Sequence, residues 1–399
     1  MKSPWLTSVL PIAAIFVFRM LGLFMLIPIF TLYAHKLAFS TPALTGFALG
    51  AYGLSQGLLQ IPFGLLSDKY GRKPMITIGL ILLLVGSLIG AVSHSIYSMI
   101  LARILQGMGA IGSVLIALLA DVTKEHQRTK AMAVIGASIG LSFAFAMVLS
   151  PTLAQSYGLS GIFYVMVGLA SFGLLLLFTT IPNPTRIQCL PSNKTIELLQ
   201  QVLHNHELMR LNFGIFCQHC ILTATFFTLP LLIHEQINTG HLSSQWQFYL
   251  YTLLSSFIIM MPLIFLAEKK GLVKDIFLLS IMIIALSQCL LTFAYNYWLA
   301  ICVCMFLYFI AFNILEATLP SLISKKAPAD SKGTAMGIYS TCQFLGIFAG
   351  GSLAGILFQI LNMRSIFLVN TCIAIIWCII ANNMQIKLTD KMPTQVKEI

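Results

Sequence analysis

The sequence predicts an all-α integral membrane protein, with twelve transmembrane helices arranged as two pseudo-symmetric bundles of six. Three observations carry that reading. Only 9% of the 399 residues are charged and 58% are hydrophobic, whereas a water-facing domain carries about 25% charge, so most of this surface meets an apolar medium. Twelve apolar stretches follow one another, each long enough for the roughly 20 residues that cross a bilayer. Lys and Arg gather on one side of the resulting hairpins, as loops facing the cytoplasm do.

The first six spans cover 8–32, 43–66, 74–93, 96–120, 130–156 and 160–181. The second six cover 210–233, 245–266, 275–294, 297–323, 333–359 and 365–385. Met1 to Phe30 has the lysine and apolar run of a signal peptide, but Arg19 interrupts it and no small-residue cleavage site follows, so it reads as a retained first helix. Between the two sets lies one long polar interval, Pro182 to Arg210. Pro182, Pro184 and Pro191 break helices there, and Lys194 to His204 has the pattern of a short amphipathic surface helix. The expected domains are a bundle over 1–182, a cytoplasmic linker over 183–208, a bundle over 209–387 and a short tail over 388–399.

With the N-terminus inside, the cytoplasmic segments collect Lys2; Lys69, Arg72 and Lys73; Lys124, Arg128 and Lys130; Arg186, Lys194 and Arg210; Lys269, Lys270 and Lys274; Lys325, Lys326 and Lys332; and Lys387, Lys391 and Lys397. The opposite side holds Lys36 and Arg364, while Arg19 and Arg103 lie within spans. Nineteen against two puts both termini in the cytoplasm. The same distribution accounts for the formal charge of +11 without a nucleic-acid partner. Most of the nine cysteines sit inside apolar runs, where thiols act as small hydrophobes, and they imply no disulfide framework.

The halves echo each other. The run from Ala117 to Met132, leaving helix 4 for helix 5, aligns without gaps with the run from Ser321 to Met336, leaving helix 10 for helix 11. Parallel six-helix repeats are a recurring transporter architecture, with the binding site near the midplane between them.

The most informative loop is Gly64-Leu-Leu-Ser-Asp68-Lys-Tyr-Gly71-Arg72-Lys73-Pro74, between helices 2 and 3. Gly64 permits close helix approach and Gly71 a tight turn. Asp68 suits a helix N-terminus, whose unpaired N–H groups favour an anion, and Arg72 with Lys73 completes a charge latch. A positive-inside loop needs lysines and a turn, but not Gly, Asp, Gly and Arg at these offsets. The loop resembles the signature loop of the major facilitator superfamily, and the resemblance extends over essentially the whole chain. It implies that Asp121, closing helix 4, joins the latch, that helices 1, 4, 7 and 10 line a central cavity, and that the protein works as a monomer in a bacterial inner membrane. Leu266-Ala-Glu268-Lys-Lys-Gly271 looks like a degraded second copy.

Arg103-Ile-Leu-Gln106-Gly107 matches a second family motif in helix 4. The third, in helix 5 of the drug/proton antiporter branch, is imperfect: Ala137, Ala146 and Ser150 replace glycines before Pro151. Stretches such as Gly50-Ala-Tyr-Gly-Leu-Ser-Gln56 and Lys332-Gly-Thr-Ala-Met-Gly resemble the YajR-type efflux transporters of that branch. Those carry a further soluble domain after helix 12. This chain stops within about fifteen residues of its last span, so regulation through such a domain is expected to be missing.

Four charged or titratable groups stand inside spans: Arg19, Arg103, His219 and Glu316. A charge at the bilayer centre costs roughly 2.5–3.5 kcal/mol, which makes each a functional candidate. At 1.5 Å per residue, Arg19, His219 and Glu316 lie about 16, 14 and 10–12 Å along their helices from the same face. A dry setting favours the neutral form of Glu316 and a neighbouring Arg19 its charged form, a competition that makes a proton switch. A permanently paired structural glutamate is the plainer reading. His219 titrates in the useful range, and by resemblance Arg103 assists proton transfer; either could equally be a polar knot within the bundle. Cys217, His219 and Cys220 lack a fourth ligand for a metal site. Phe24, Tyr52, Gln56, Gln60, Gln218, Asn313, Tyr339 and Gln343 are the candidates for lining a substrate cavity.

The expected function is proton-coupled antiport of small amphipathic compounds out of the cytoplasm, with the latch of Asp68, Arg72 and Asp121 holding the outward-facing state. The alternatives are an importer or facilitator of a native metabolite such as a siderophore, sugar or amino acid, and a membrane ligand sensor. No nucleotide loop, metal cluster or nucleophile–base pair points to an enzyme. The expected partners are a small-molecule substrate, protons and the lipid bilayer, with the proton gradient as energy source and no cofactor.

Overall fold

The computed structural model describes residues 9–123, 125–181 and 192–384. Residues 182–191 of the polar interval, with the boundary between residues 182 and 183, and the tail at 388–399 therefore lie outside the described residues. The elements are α1 Leu10–Phe24, α2 Phe30–Ala34, α3 Pro42–Tyr70, α4 Arg72–Ala91, α5 Ile96–Met108, α6 Gly112–Val122, α7 Glu125–Thr179, α8 Ser192–His204, α9 His206–Asn238, α10 Gln245–Lys270, α11 Val273–Ala294, α12 Trp298–Lys326, α13 Lys332–Ile360 and α14 Met363–Asn382. No strand occurs among the described residues.

All twelve expected spans are helical. Nine helical stretches among the described residues are long and apolar enough to cross a membrane. One of them holds two crossings, because α7 turns at Gly158 (φ +65°, ψ −167°). The others are α1, which is shorter, and α3, which is rich in glycine and glutamine. Gly71 (φ +99°) turns α3 into α4 and Gly271 (φ +71°) turns α10 into α11, so both loops turn on a glycine with positive φ. The amphipathic stretch forms α8, which buries Val202 and rests on α9 and α13.

Two spans differ from the unbroken helices expected. The first divides into α1 and α2 around Pro28, and the fourth into α5 and α6 around Gly109. Irregular backbone inside a bilayer persists only where protein satisfies its polar groups. Here Ser150 Oγ donates to the Met25 carbonyl at 2.5 Å and Gln245 Nε2 to the Pro28 carbonyl at 2.7 Å.

The widest contact between the bundles is α3 against α13. Helices approach this closely only where side chains are small: a Cβ on Gly50 would stand 2.9 Å from Phe348 Cα, and one on Gly355 2.9 Å from Gly46 Cα. The opposite face of α13 lies as tightly on α9, where a Cβ on Gly350 would stand 2.9 Å from Cys220 Cα. Thus α13 is clasped between its own bundle and the other. Towards the basic loops, Cβ atoms on Gly136, Gly140, Gly333 and Gly337 would meet nothing within 4 Å. The bundles are therefore closest at the end away from those loops.

Aromatic rings bridge the same gap. Phe143 of α7 meets Phe24 of α1 at 5.2 Å between centroids, Phe226 of α9 at 6.4 Å and Phe312 of α12 at 6.3 Å. Within the second bundle a buried polar knot ties three helices: Gln288 and Asn370 each donate to Thr225 Oγ1, and Asn370 donates to Gln288 Oε1 at 3.0 Å. Such a network stabilises only when its members satisfy one another, as these do.

Candidate transport site

The signature loop folds into a compact ion cluster. Gly71 ends α3, and the chain re-enters as α4 with Arg72 at its first position and 8% of its side chain exposed. Arg72 Nε donates to Asp121 Oδ2 at 3.0 Å, while Nη1 reaches Asp68 Oδ1 at 2.5 Å and Ser67 Oγ at 2.6 Å. Asp68, Arg72 and Asp121 thus meet, joining α3, α4 and α6. Gly64 faces Ser113 of α6, with its Cβ position 3.8 Å from the hydroxyl. Lys73 is half-buried and makes no ion pair among the described residues. Ser67 went unread in the sequence, although its position one turn before Gly71 could have suggested it.

The second bundle carries a different cluster at its basic end. Glu207 of α9 pairs with Arg210 at 2.7 Å and with Lys326 of α12, and Arg210 Nη1 also donates to the Asn383 carbonyl beyond α14 at 2.7 Å. Nothing in the loop motif foretold it, because the partners come from three distant helices.

Glu316 sits in α12 with 32% of its side chain exposed. Its Oε2 accepts from Gln218 Nε2 at 3.0 Å and lies 3.9 Å from His219 Nε2. Gln218 is also fixed by donation to the Phe312 carbonyl at 3.3 Å. His219 Nε2 is 2.9 Å from the amide nitrogen of Gln343 on α13. Tyr339 of α13, one helical turn before Gln343, is buried. Four of the sequence candidates, Glu316, His219, Gln218 and Gln343, therefore converge from α9, α12 and α13.

The other candidates go elsewhere. Arg19 does not neighbour Glu316 as an ion pair. Its guanidinium lies against Gly112, with Nη1 2.9 Å from that residue's Cβ position, and 6.0 Å from the Phe344 ring. The depth of a residue along its helix fixes its height but not its bearing, which is why equal depths did not make a pair. Arg103 is buried against the Tyr52 ring at 4.9 Å and donates to Gln106 at 2.8 Å. Gln106 in turn donates to Ser87 at 2.9 Å. Gln56 donates to Gln60 at 3.0 Å, both buried. Asn313 directs its amide to Ser256 of α10 at 3.1 Å. Phe24 belongs to the aromatic bridge, whose central member, Phe143, was not singled out in the sequence.

This arrangement suits reversible charge change: a partly exposed carboxylate, held by one donor and facing an imidazole, inside an apolar bundle. Its setting has relatives. The family model of the Major Facilitator Superfamily matches residues 12–264 and 211–383. The chain is 42% identical over 376 residues to the inner membrane transport protein YajR of Escherichia coli (strain K12), covering 94% of this chain and 82% of that one. It is 27% identical over 364 residues to the quinolone resistance protein NorA of Staphylococcus aureus (strain COL), covering 85% and 87%. Among solved structures, the nucleoside transporter NupG superposes with a TM-score of 0.73 over 94% of this chain and 98% of its own at 13% identity. The human organic anion transporter MFSD10 superposes with a TM-score of 0.67 over 95% and 100% at 18% identity. These two likenesses establish the fold. Twelve helical spans among the described residues, the Gly64–Pro74 loop with its ion cluster and the match of both halves lead to one conclusion: the chain belongs to the Major Facilitator Superfamily of membrane transporters.

Proposed function

We propose that this transporter is a proton-coupled antiporter of a bacterial inner membrane, with both termini cytoplasmic, that exports small amphipathic compounds by alternating access. The observation that carries the proposal is the partly exposed Glu316 carboxylate beside Gln218 and His219, deep in an otherwise apolar helix. A carboxylate so placed binds and releases one proton with a large change in its interactions. His219 shares the proton, and Gln218 holds the carboxylate. A membrane potential of 100 mV supplies about 2.3 kcal/mol per charge moved, enough for modest uphill exchange. The likeness to NorA, named for quinolone resistance, supports amphipathic aromatic compounds as cargo. The cluster of Asp68, Arg72 and Asp121 stiffens the basic end of the first bundle and serves as its conformational latch. The bundles work as the two rocking bodies, 1–182 and 209–387.

The test is proton movement in liposomes holding purified protein, with a quinolone and ethidium as probes and an imposed pH gradient. Probe-driven proton flux is expected in the wild type and is expected to vanish in Glu316→Gln. Full proton flux in Glu316→Gln would remove the carrier role. One observation favours a second reading, a facilitator or importer: Ser150 replaces a glycine of the antiporter motif and spends its hydroxyl on Met25. Probe flux without any proton movement would select that reading.

A further inference from the structure

We propose that Arg19 and the first turn of α6 form an anion-binding subsite in the first bundle, one that takes the carboxylate of a small aromatic organic acid. That this acid is cargo rests on the transporter reading; the binding itself does not.

The inference starts from hydrogen-bond bookkeeping. Arg19 is 2% exposed, and its Nε and Nη2 have no hydrogen-bond partner. No side chain caps α6, and among the described residues the N–H groups of Gly112, Ser113 and Val114 have no acceptor, the first bond of this turn being Leu115 N–H to the Ile111 carbonyl. Buried donors are normally satisfied, and a helix N-terminus adds partial positive charge to unpaired N–H groups. A full positive charge and a positive helix end are thus held together in the membrane interior, with donors on both and no acceptor between them. Among the residues whose side chains are described, no carboxylate fills that role: the acids of the first bundle are Asp68 and Asp121, both on Arg72, and Glu316 is held by Gln218.

Gly112 is what lets the two positive elements meet. Any side chain there would strike the guanidinium, 2.9 Å from its Cβ position. The break at Gly109 places a helix start at this depth. A carboxylate matches the site, since it accepts from a planar guanidinium and from backbone N–H groups at once. The neighbouring ring of Phe344, itself 6.4 Å from Tyr52, supplies an aromatic wall for the body of such a ligand. Phe344 comes from α13, so the second bundle covers the subsite.

The experiment is equilibrium binding of radiolabelled benzoate to the purified full chain in detergent, without a gradient. Methyl benzoate, inorganic phosphate and chloride serve as competitors. Saturable binding is expected, displaced by unlabelled benzoate but not by the ester. Arg19→Gln is expected to weaken it roughly tenfold or more, with Arg19→Lys intermediate. Gly112→Ala, which keeps the arginine but pushes its guanidinium off the helix end, is expected to weaken binding as well. Absence of saturable binding, or binding untouched by both Arg19→Gln and Gly112→Ala, would overturn the proposal. Displacement by phosphate or chloride in preference to benzoate would overturn the assignment to an organic carboxylate. Benzoate binding as expected, together with no proton flux in the liposome test, would fault the antiport reading and leave the subsite standing.

Discussion

Arg72 makes three contacts with one guanidinium, a geometry that a lysine cannot reproduce because its single ammonium does not fork. Arg72→Lys is expected to keep the charge but lose about 1–3 kcal/mol, the scale of hydrogen bonds to a charged group, with the lower end favoured because Asp68 is 44% exposed. Thermal unfolding in detergent, compared with Lys73→Ala as a neighbouring control with little effect, checks this. Gln218 sets a second expectation. Gln218→Leu removes the one donor fixed on the Glu316 carboxylate and is expected to cut proton-coupled flux by roughly tenfold without loss of folded protein. Flux equal to wild type would show that Glu316 needs no such holder. The two clusters also mark what a sequence discloses at this scale. Asp68, Gly71 and Arg72 lie in one short loop, so their spacing already determines that they meet. Gln218, His219, Glu316 and Gln343 come from three helices, and their meeting depends on how each helix is rotated, which spacing does not record.

Among the elements, the glycine-lined contact of α3 with α13 admits backbone approach that no larger residue allows. Gly50→Leu is expected to separate these helices and to suppress transport strongly while leaving each bundle folded. Reduced cross-linking between cysteines placed at Leu54 and Leu345, read alongside flux, measures it; unchanged cross-linking would show that the seam tolerates bulk. The broken first span offers a milder perturbation. Ser150→Ala removes the donor from the Met25 carbonyl and is expected to cost about 1 kcal/mol, visible as a lower unfolding temperature. The existence and order of all twelve spans were legible, because a run of apolar residues is a local property. The breaks at Pro28 and Gly109 were not, because proline and glycine also occur in unbroken membrane helices when neighbours satisfy the backbone. Whether Ser150 and Gln245 stand close enough to do so is a tertiary fact.

For the whole molecule, the two bundles present opposite chemistry across one seam. The second offers a carboxylate with an imidazole, and the first a buried arginine at a helix end. The bundles are packed closely on one side, and on the other the glycines of α7 and α13 face open space. On the proposed reading, a proton arriving at Glu316 changes the charge next to His219, which contacts Gln343 on α13, the helix clasped between both bundles. That chain of contacts would link charge state to rocking. The broad assignment to a transporter followed from composition, basic loops and a single motif, since those properties are set by the membrane rather than by any one cargo. Cargo recognition depends on side chains converging from several helices, so it becomes readable only in three dimensions.

The most direct measurement of the central claim needs no cargo. Nitroxide labels at Lys69→Cys and Lys332→Cys, both exposed at the basic ends of α3 and α13, would report the distance between the bundles in protein whose native cysteines have been replaced. The distance distribution would be followed from acid to alkaline pH in wild-type and Glu316→Gln protein. The expected result is a wild-type distribution that shifts between two populations with pH, and a Glu316→Gln distribution fixed at the acid-side position throughout. A Glu316→Gln protein that shifts with pH as the wild type does would contradict the assignment of Glu316 as the group whose proton moves the bundles.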